Sequence, residues 1–97
     1  MSDELGYQFK LYISGEVSAS SLRAIANFDR IRALYFQGEC QVEIIDIHSD
    51  PERAIADRII ATPTLVKVFP PPRFKIVGDL SKRFDQVSEL LSLARND

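Results

Sequence analysis

The chain is short of three things that whole classes of protein depend on. Cysteine occurs once, at Cys40, so one chain holds no disulfide, no Cys-x-x-Cys redox pair and no cysteine-based zinc site. An excess of basic charge is missing: 12 Lys and Arg stand against 14 Asp and Glu, for a net charge of −2. Both signs are spread along the chain, without the concentrated footprint that nucleic acid or anionic lipid requires. Long apolar runs are missing too, and the opening Met1-Ser2-Asp3-Glu4 is acidic where a secretory signal is basic. The expectation is a cytoplasmic protein with neither nucleic acid nor membrane among its partners.

What is present suits one domain spanning 1–97, since 97 residues of which 45% are hydrophobic can bury a single core. Tyr7 to Ser14 is rich in aromatic and β-branched residues and alternates. This predicts a first strand with Phe9, Leu11 and Ile13 on one face and Gln8, Lys10 and Tyr12 on the other. Ser18-Ala19-Ser20-Ser21 is a helix-starting cluster, and the periodic segment after it runs to about Gln37 and stops at Gly38. At helical spacing Arg23, Asn27 and Arg30 share one face, while Ala24, Ile25, Phe28, Ile31 and Tyr35 turn the other way.

The apolar run Val42, Ile44, Ile45 and Ile47 predicts a second strand covered on both faces, parallel to the first through a crossover helix. Asp50-Pro51-Glu52 then reads as cap, first-turn proline and first-turn acid of a short helix through Ile60, with Ile55, Ile59 and Ile60 inward. Thr64 to Phe69 and Arg73 to Val77 are two strands joined by Pro70-Pro71-Pro72, which cannot donate ladder hydrogen bonds. Gly78-Asp79-Leu80-Ser81 supplies a turn and a cap before a last amphipathic helix carrying Phe84, Val87, Leu91 and Ala94. The order strand, helix, strand, helix, strand, strand, helix predicts an α/β fold of the thioredoxin type.

Ile45-Asp46-Ile47, Asp50-Pro51 and Ala61-Thr62-Pro63-Thr64-Leu65 resemble the second half of thioredoxins, where a proline opens the third strand through a cis bond. Ser14 to Ser21, where thioredoxins carry their reactive cysteines, holds none, so thiol-disulfide exchange has no nucleophile. A fuller resemblance runs through Lys10-Leu11-Tyr12, Gly15, Arg23-Ala24, Phe36-Gln37-Gly38, Ile45-Asp46, Ala61-Thr62-Pro63-Thr64-Leu65, Pro70-Pro71-Pro72 and Gly78-Asp79-Leu80-Ser81. That ordered set is similar to the KaiB family of small clock proteins.

The resemblance implies a non-enzymatic, cofactor-free regulator that docks on a KaiC-like hexameric ATPase, captures a KaiA-like protein and competes with a histidine kinase bearing a KaiB-like sensor domain. Such a detached sensor domain is the alternative reading. It implies self-association as a dimer or tetramer. It also implies two arrangements of the carboxy-terminal half, a thioredoxin-like one that binds and a tetrameric one. Val87-Ser88-Glu89-Leu90-Leu91 departs from clock members, which carry a glycine and an aspartate there; glycine costs about 1 kcal/mol in a helix, so Glu89 favours a helical ending in a divergent member.

Partner contacts are expected at Arg23, Asn27, Gln41, Glu43 and Arg58. Arg23 and Arg58 match basic docking positions of the family, whereas Glu43 stands where clock members tend to carry lysine, a reversal that alters partner choice. His48 with Asp46 and Asp50 lacks a metal site's geometry, and capping is the expected role of Asp50. Cys40, next to Glu39, is expected to keep a raised thiol pKa and no special reactivity.

Overall fold

Alternation along the first strand builds two cores, one on each face of a central sheet. The computed structural model describes residues 6–37, 39–83 and 86. Their order is β1 (Gln8–Ile13), α1 (Ala19–Phe36), β2 (Gln41–Asp46), α2 (Pro51–Ala56), β3 (Thr64–Phe69), β4 (Phe74–Val77) and a 3₁₀ turn at Leu80–Arg83. The strands lie side by side as β2-β1-β3-β4, with β1 and β2 parallel and the other pairs antiparallel. Along the chain, the elements through β4 follow the predicted order, and the described residues take the first of the two arrangements that the resemblance implies. The expected last helix around Phe84, Val87, Leu91 and Ala94, and Glu89 within it, lies outside the described residues.

Phe9, Leu11 and Ile13 face α1 and meet its buried residues Ala24, Phe28 and Ile31, which recur at helical spacing. Register continues this face across the sheet, pairing Leu11 with Leu65 and Leu65 with Ile76, all buried. The Phe9 ring stands edge-on to Phe28 and Phe36 at centroid distances of 5.3 and 5.6 Å. The opposite face carries Tyr12, Ile45, Val66 and the α2 residue Ala54. Tyr12 was expected on the polar side of β1; it is fully buried under α2.

Helix α1 begins where the serine cluster indicates. Ser18 has extended backbone and its Oγ accepts the Ser21 N–H at 3.1 Å, a cap worth about 1 kcal/mol. At the far end the left-handed residue is Gln37 (φ 53°); the predicted stop at Gly38 lies outside the described residues.

Two expectations fail for identifiable reasons. β2 is not covered on both faces: Ile45, beside Tyr12, is buried with Ala54 of α2, while Ile44, on the opposite face, is 46% exposed. Helix α2 ends at Ala56 instead of Ile60, because Arg58 takes a left-handed conformation (φ 57°) and turns the chain away. Ala54 is its buried residue and Ile59 is half-buried, whereas Ile55 and Ile60 are 76% and 90% exposed. Asp50 makes no side-chain cap, and Pro51, which has no N–H to leave orphaned, opens the helix.

The Thr62–Pro63, Phe69–Pro70 and Pro71–Pro72 bonds are cis. At the triple-proline corner between β3 and β4, the fully buried Lys67 ammonium donates to the Pro70 carbonyl and to the Pro72 carbonyl, the latter at 2.8 Å. It also lies 5.2 Å from the Phe74 ring centroid, and burial pushes its pKa down.

Candidate docking surface

Arg23 and Asn27 stand one turn apart on α1, and the fold brings Pro63 and Asp79 to them. Together with Ser20 and Ala24 these residues line a shallow cleft. Asn27 Nδ2 donates to Asp79 Oδ1 at 3.3 Å. The same carboxylate oxygen accepts the Ser81 hydroxyl at 2.7 Å and the Ser81 N–H at 2.9 Å, so it forms the cap that the sequence placed at this turn. Those Ser81 hydrogen bonds, side chain first, hold the Asp79 carboxyl below the usual range.

The motif residues meet because two chain segments are tied there. Gly78, at φ +102°, donates its N–H to the Pro63 carbonyl at 2.8 Å, a conformation that favours glycine. Thr64 Oγ1 donates to the Ala61 carbonyl at 2.6 Å, closing the turn that precedes β3, and Leu65 anchors it in the core. Of the stretch Ala61, Thr62, Pro63, Thr64, Leu65 it is Pro63 that lines the cleft, and of Gly78-Asp79 it is Asp79. Arg23 is exposed beside it. An exposed guanidinium above a hydrogen-bonded, partly apolar hollow suits recognition of another protein's carboxylate or carbonyl.

The other expected contacts do not line this cleft. Gln41 and Glu43 lie on β2 and share a separate hollow with Gln8 and Lys10 on the α2 face of the sheet. Glu43 is held by both Arg53 guanidinium nitrogens, one at 2.7 Å, and this hydrogen bonding pulls its pKa down. Arg58 is exposed in the turn after α2, where its carbonyl accepts Lys75 Nζ at 3.1 Å. Pro70, Pro71 and Pro72 form the corner between β3 and β4, apart from the cleft's lining.

Asp57 was not anticipated. Its Oδ2 accepts Tyr12 OH at 2.5 Å and Lys10 Nζ at 3.1 Å, and its Oδ1 accepts Arg73 Nη2 at 2.8 Å. Burial works to raise its pKa, and the Tyr12 and Lys10 hydrogen bonds outweigh that, leaving it lowered. Tyr12 responds with a raised pKa, from burial first and from Asp57 second.

Cys40 is buried, and its thiol pKa is pushed up by burial against the opposing pull of Arg32; the cause is burial where the sequence suggested Glu39. Arg32 donates to the Cys40 carbonyl. His48 Nε2 lies 3.0 Å from Ser14 Oγ. The Asp46 carboxylate is taken up by the N–H groups of His48 at 2.9 Å and Gly15 at 3.1 Å. Among the described residues no group of three or more His, Cys, Asp and Glu is placed to hold a metal, and no helix is long and apolar enough to cross a membrane.

The KaiB domain family matches residues 10–92 of this sequence. The chain belongs to the KaiB family. Similar proteins include the circadian clock oscillator protein KaiB of Acaryochloris marina, 46% identical over 77 residues that cover 79% of this chain and 73% of that one. The KaiB of Prochlorococcus marinus is 38% identical over 99 residues, covering 92% of this chain and 82% of that one.

Among solved structures this KaiB-family chain superposes on the N-terminal domain of SasA from Synechococcus elongatus with a TM-score of 0.73 and 20% identity, covering 94% of this chain and 86% of that one. Mitochondrial thioredoxin 3 of Saccharomyces cerevisiae gives 0.67 at 13% identity, covering 86% and 76%. The shared feature at such identities is the α/β thioredoxin-like fold.

Proposed function

We propose that this KaiB-family chain is a non-enzymatic clock-type regulator of the cytoplasm that docks on a KaiC-like hexameric ATPase and alters its phosphorylation or signalling state. The observation that carries the reading is the meeting of Arg23 and Asn27 with Pro63 and Asp79 at one cleft. Residues from three parts of the chain converge on one surface, and Arg23, Pro63 and Asp79 among them belong to family motifs. The buried Cys40, whose thiol is pushed up, gives no accessible thiolate for a thioredoxin-like reaction.

The contact takes an acidic or carbonyl-rich segment of the ATPase against Arg23, with Asn27 and the Pro63 turn giving register. A histidine kinase with a sensor domain of this fold would compete for the same place by shape, and a KaiA-like protein would join once the complex forms. The fold likeness to the SasA N-terminal domain supports that competition and also the alternative, a detached sensor module.

Size-exclusion chromatography with light scattering, using the KaiC homologue from the same genome and ATP, tests the reading. The chain should co-elute with the hexamer, and Arg23→Glu should weaken binding about tenfold or more, since a charge is reversed at the contact. Failure to co-elute under every nucleotide condition overturns it.

A further inference from the structure

Beyond β4 no further strand lies among the described residues, so its outer edge is open. The ladder on its inner edge fixes which backbone groups that edge offers. Gly78 donates its N–H to the Pro63 carbonyl at 2.8 Å, continuing the antiparallel register that pairs Thr64 with Val77. Hydrogen-bonded pairs alternate in such a ladder, so the next are Ile76 with Leu65 and Phe74 with Lys67. Val77 and Lys75, which alternate with them, turn their N–H and C=O groups outward. Two donors and two acceptors are thus set out in pairs about 7 Å apart along the edge.

The side chains of these two residues, and that of Arg73 before them, share the α2 face of the sheet. Lys75 Nζ reaches the Arg58 carbonyl at 3.1 Å and Arg73 Nη2 reaches Asp57 at 2.8 Å, so Arg58, Arg73 and Lys75, all exposed, gather on one side of the edge. The carboxylate within their reach, Asp57, is shared with Lys10 and Tyr12. The cluster therefore keeps an excess of positive charge. Val77, at the other end of β4, is an exposed aliphatic. A lysine on an edge strand turns away neutral and basic strands, which would bury its charge unpaired. Flanked by two arginines, Lys75 leaves an acidic strand as the kind it admits.

We infer that the β4 edge binds an extended acidic segment of another protein by strand addition, at a docking surface separate from the Arg23 cleft. The segment runs antiparallel to β4, the more stable sense per residue, and exchanges hydrogen bonds with Val77 and Lys75. Directly opposed residues stand on the same face, so the edge dictates the segment's pattern. An aliphatic residue lies against Val77, an acid against Lys75 two residues later, and a second acid against Arg73 two residues after that. The chemistry selected is aliphatic-x-acid-x-acid, with the intervening residues on the opposite face.

Amide NMR of the full chain, titrated with the peptide acetyl-Thr-Val-Thr-Glu-Thr-Asp-Thr-amide, tests this. No ATPase is present, so the outcome is separate from that of the docking reading. Saturable shifts centred on Lys75, Ile76 and Val77 are expected, with a Kd below about 1 mM. Methylating the Val or the Glu backbone nitrogen of the peptide removes a bond to the edge and should weaken binding about tenfold. Methylating the Thr nitrogen between them, which points away from the edge, should change binding by less than about threefold.

Exchanging both peptide acids for lysine should abolish binding, and Lys75→Glu should weaken the acidic peptide about tenfold or more. The methylated peptides need no change to the protein, so the test stands even if that variant fails to fold. No saturation below about 1 mM, shifts centred elsewhere, equal effects of methylation at all three nitrogens, or a lysine peptide that binds as well would each overturn the inference. So would the same shifts on concentrating the chain without peptide, which would make a second copy the occupant.

Discussion

Replacing Asp57 by alanine removes one acceptor group from three donors, and their different burial sets the loss. Arg73 is 48% exposed and returns to water, so its share is small, in the range of surface ion pairs at about 0 to 1 kcal/mol. Lys10 is 24% exposed and loses about 1 kcal/mol. The Tyr12 phenol is fully buried and keeps only a 3.3 Å contact to the Arg53 carbonyl, so stranding it costs about 1 to 2 kcal/mol. The expected loss is about 3 kcal/mol, a large part of the 5–15 kcal/mol that holds a typical domain. Urea unfolding followed by circular dichroism at neutral pH measures it, and a loss below about 1 kcal/mol would refute the apportionment.

Acid provides an independent check on the same carboxylate. Its folded pKa is lowered, so its stabilisation is complete above the unfolded value of about 3.9 and disappears as pH falls through the lower folded value. The gap between wild type and Asp57→Ala should therefore be constant near neutrality and close in strong acid. A gap unchanged in strong acid would mean that alanine acts by some route other than the lost carboxylate.

Three further outcomes follow from single contacts. Ser18→Ala removes the α1 cap and should lower stability by about 1 kcal/mol in the same urea assay, while Ser18→Gly, which needs no side-chain cap to enter a helix, should lose only a few tenths. Lys67→Met should change stability by less than about 1.5 kcal/mol, because the lost carbonyl bonds are offset by relief of a desolvated charge. Lys67→Ala should lose about 2 to 4 kcal/mol to the cavity, and equal losses for both variants would contradict this. Cys40 should react with an aromatic disulfide reagent only after unfolding in denaturant, since its thiol is both buried and raised; rapid reaction of the native chain would contradict that.

The parts of this molecule that were legible in sequence are those written in local periodicity. Phe9, Leu11 and Ile13 announced their face by alternation, and α1 by its serine cap and its 24, 28, 31 spacing; the motifs contained Arg23, Pro63 and Asp79, but nothing in them brought the three to one cleft. Asp57 was invisible for the opposite reason. Its partners lie 47, 45 and 16 positions away, at Lys10, Tyr12 and Arg73, and no local pattern links them.

The errors at β2 and α2 share a physical origin in what lies beside an element. Ile44 and Ile45 read alike in sequence, but they occupy opposite faces of β2, and α2 covers the face of Ile45 while Ile44 is left 46% exposed on the other. Ile55, Ile59 and Ile60 read as a helical stripe only if the helix continues, and six residues give too few turns for periodicity to test that. Once Arg58 turns left-handed, Ile55 and Ile60 are left outside while Ile59 alone packs inward. Single large aliphatics left exposed on a folded surface are common. Ile44 and Ile55 are thus misread as core because their chemistry is that of an interior, and side-chain type alone does not say whether a neighbouring element will cover them.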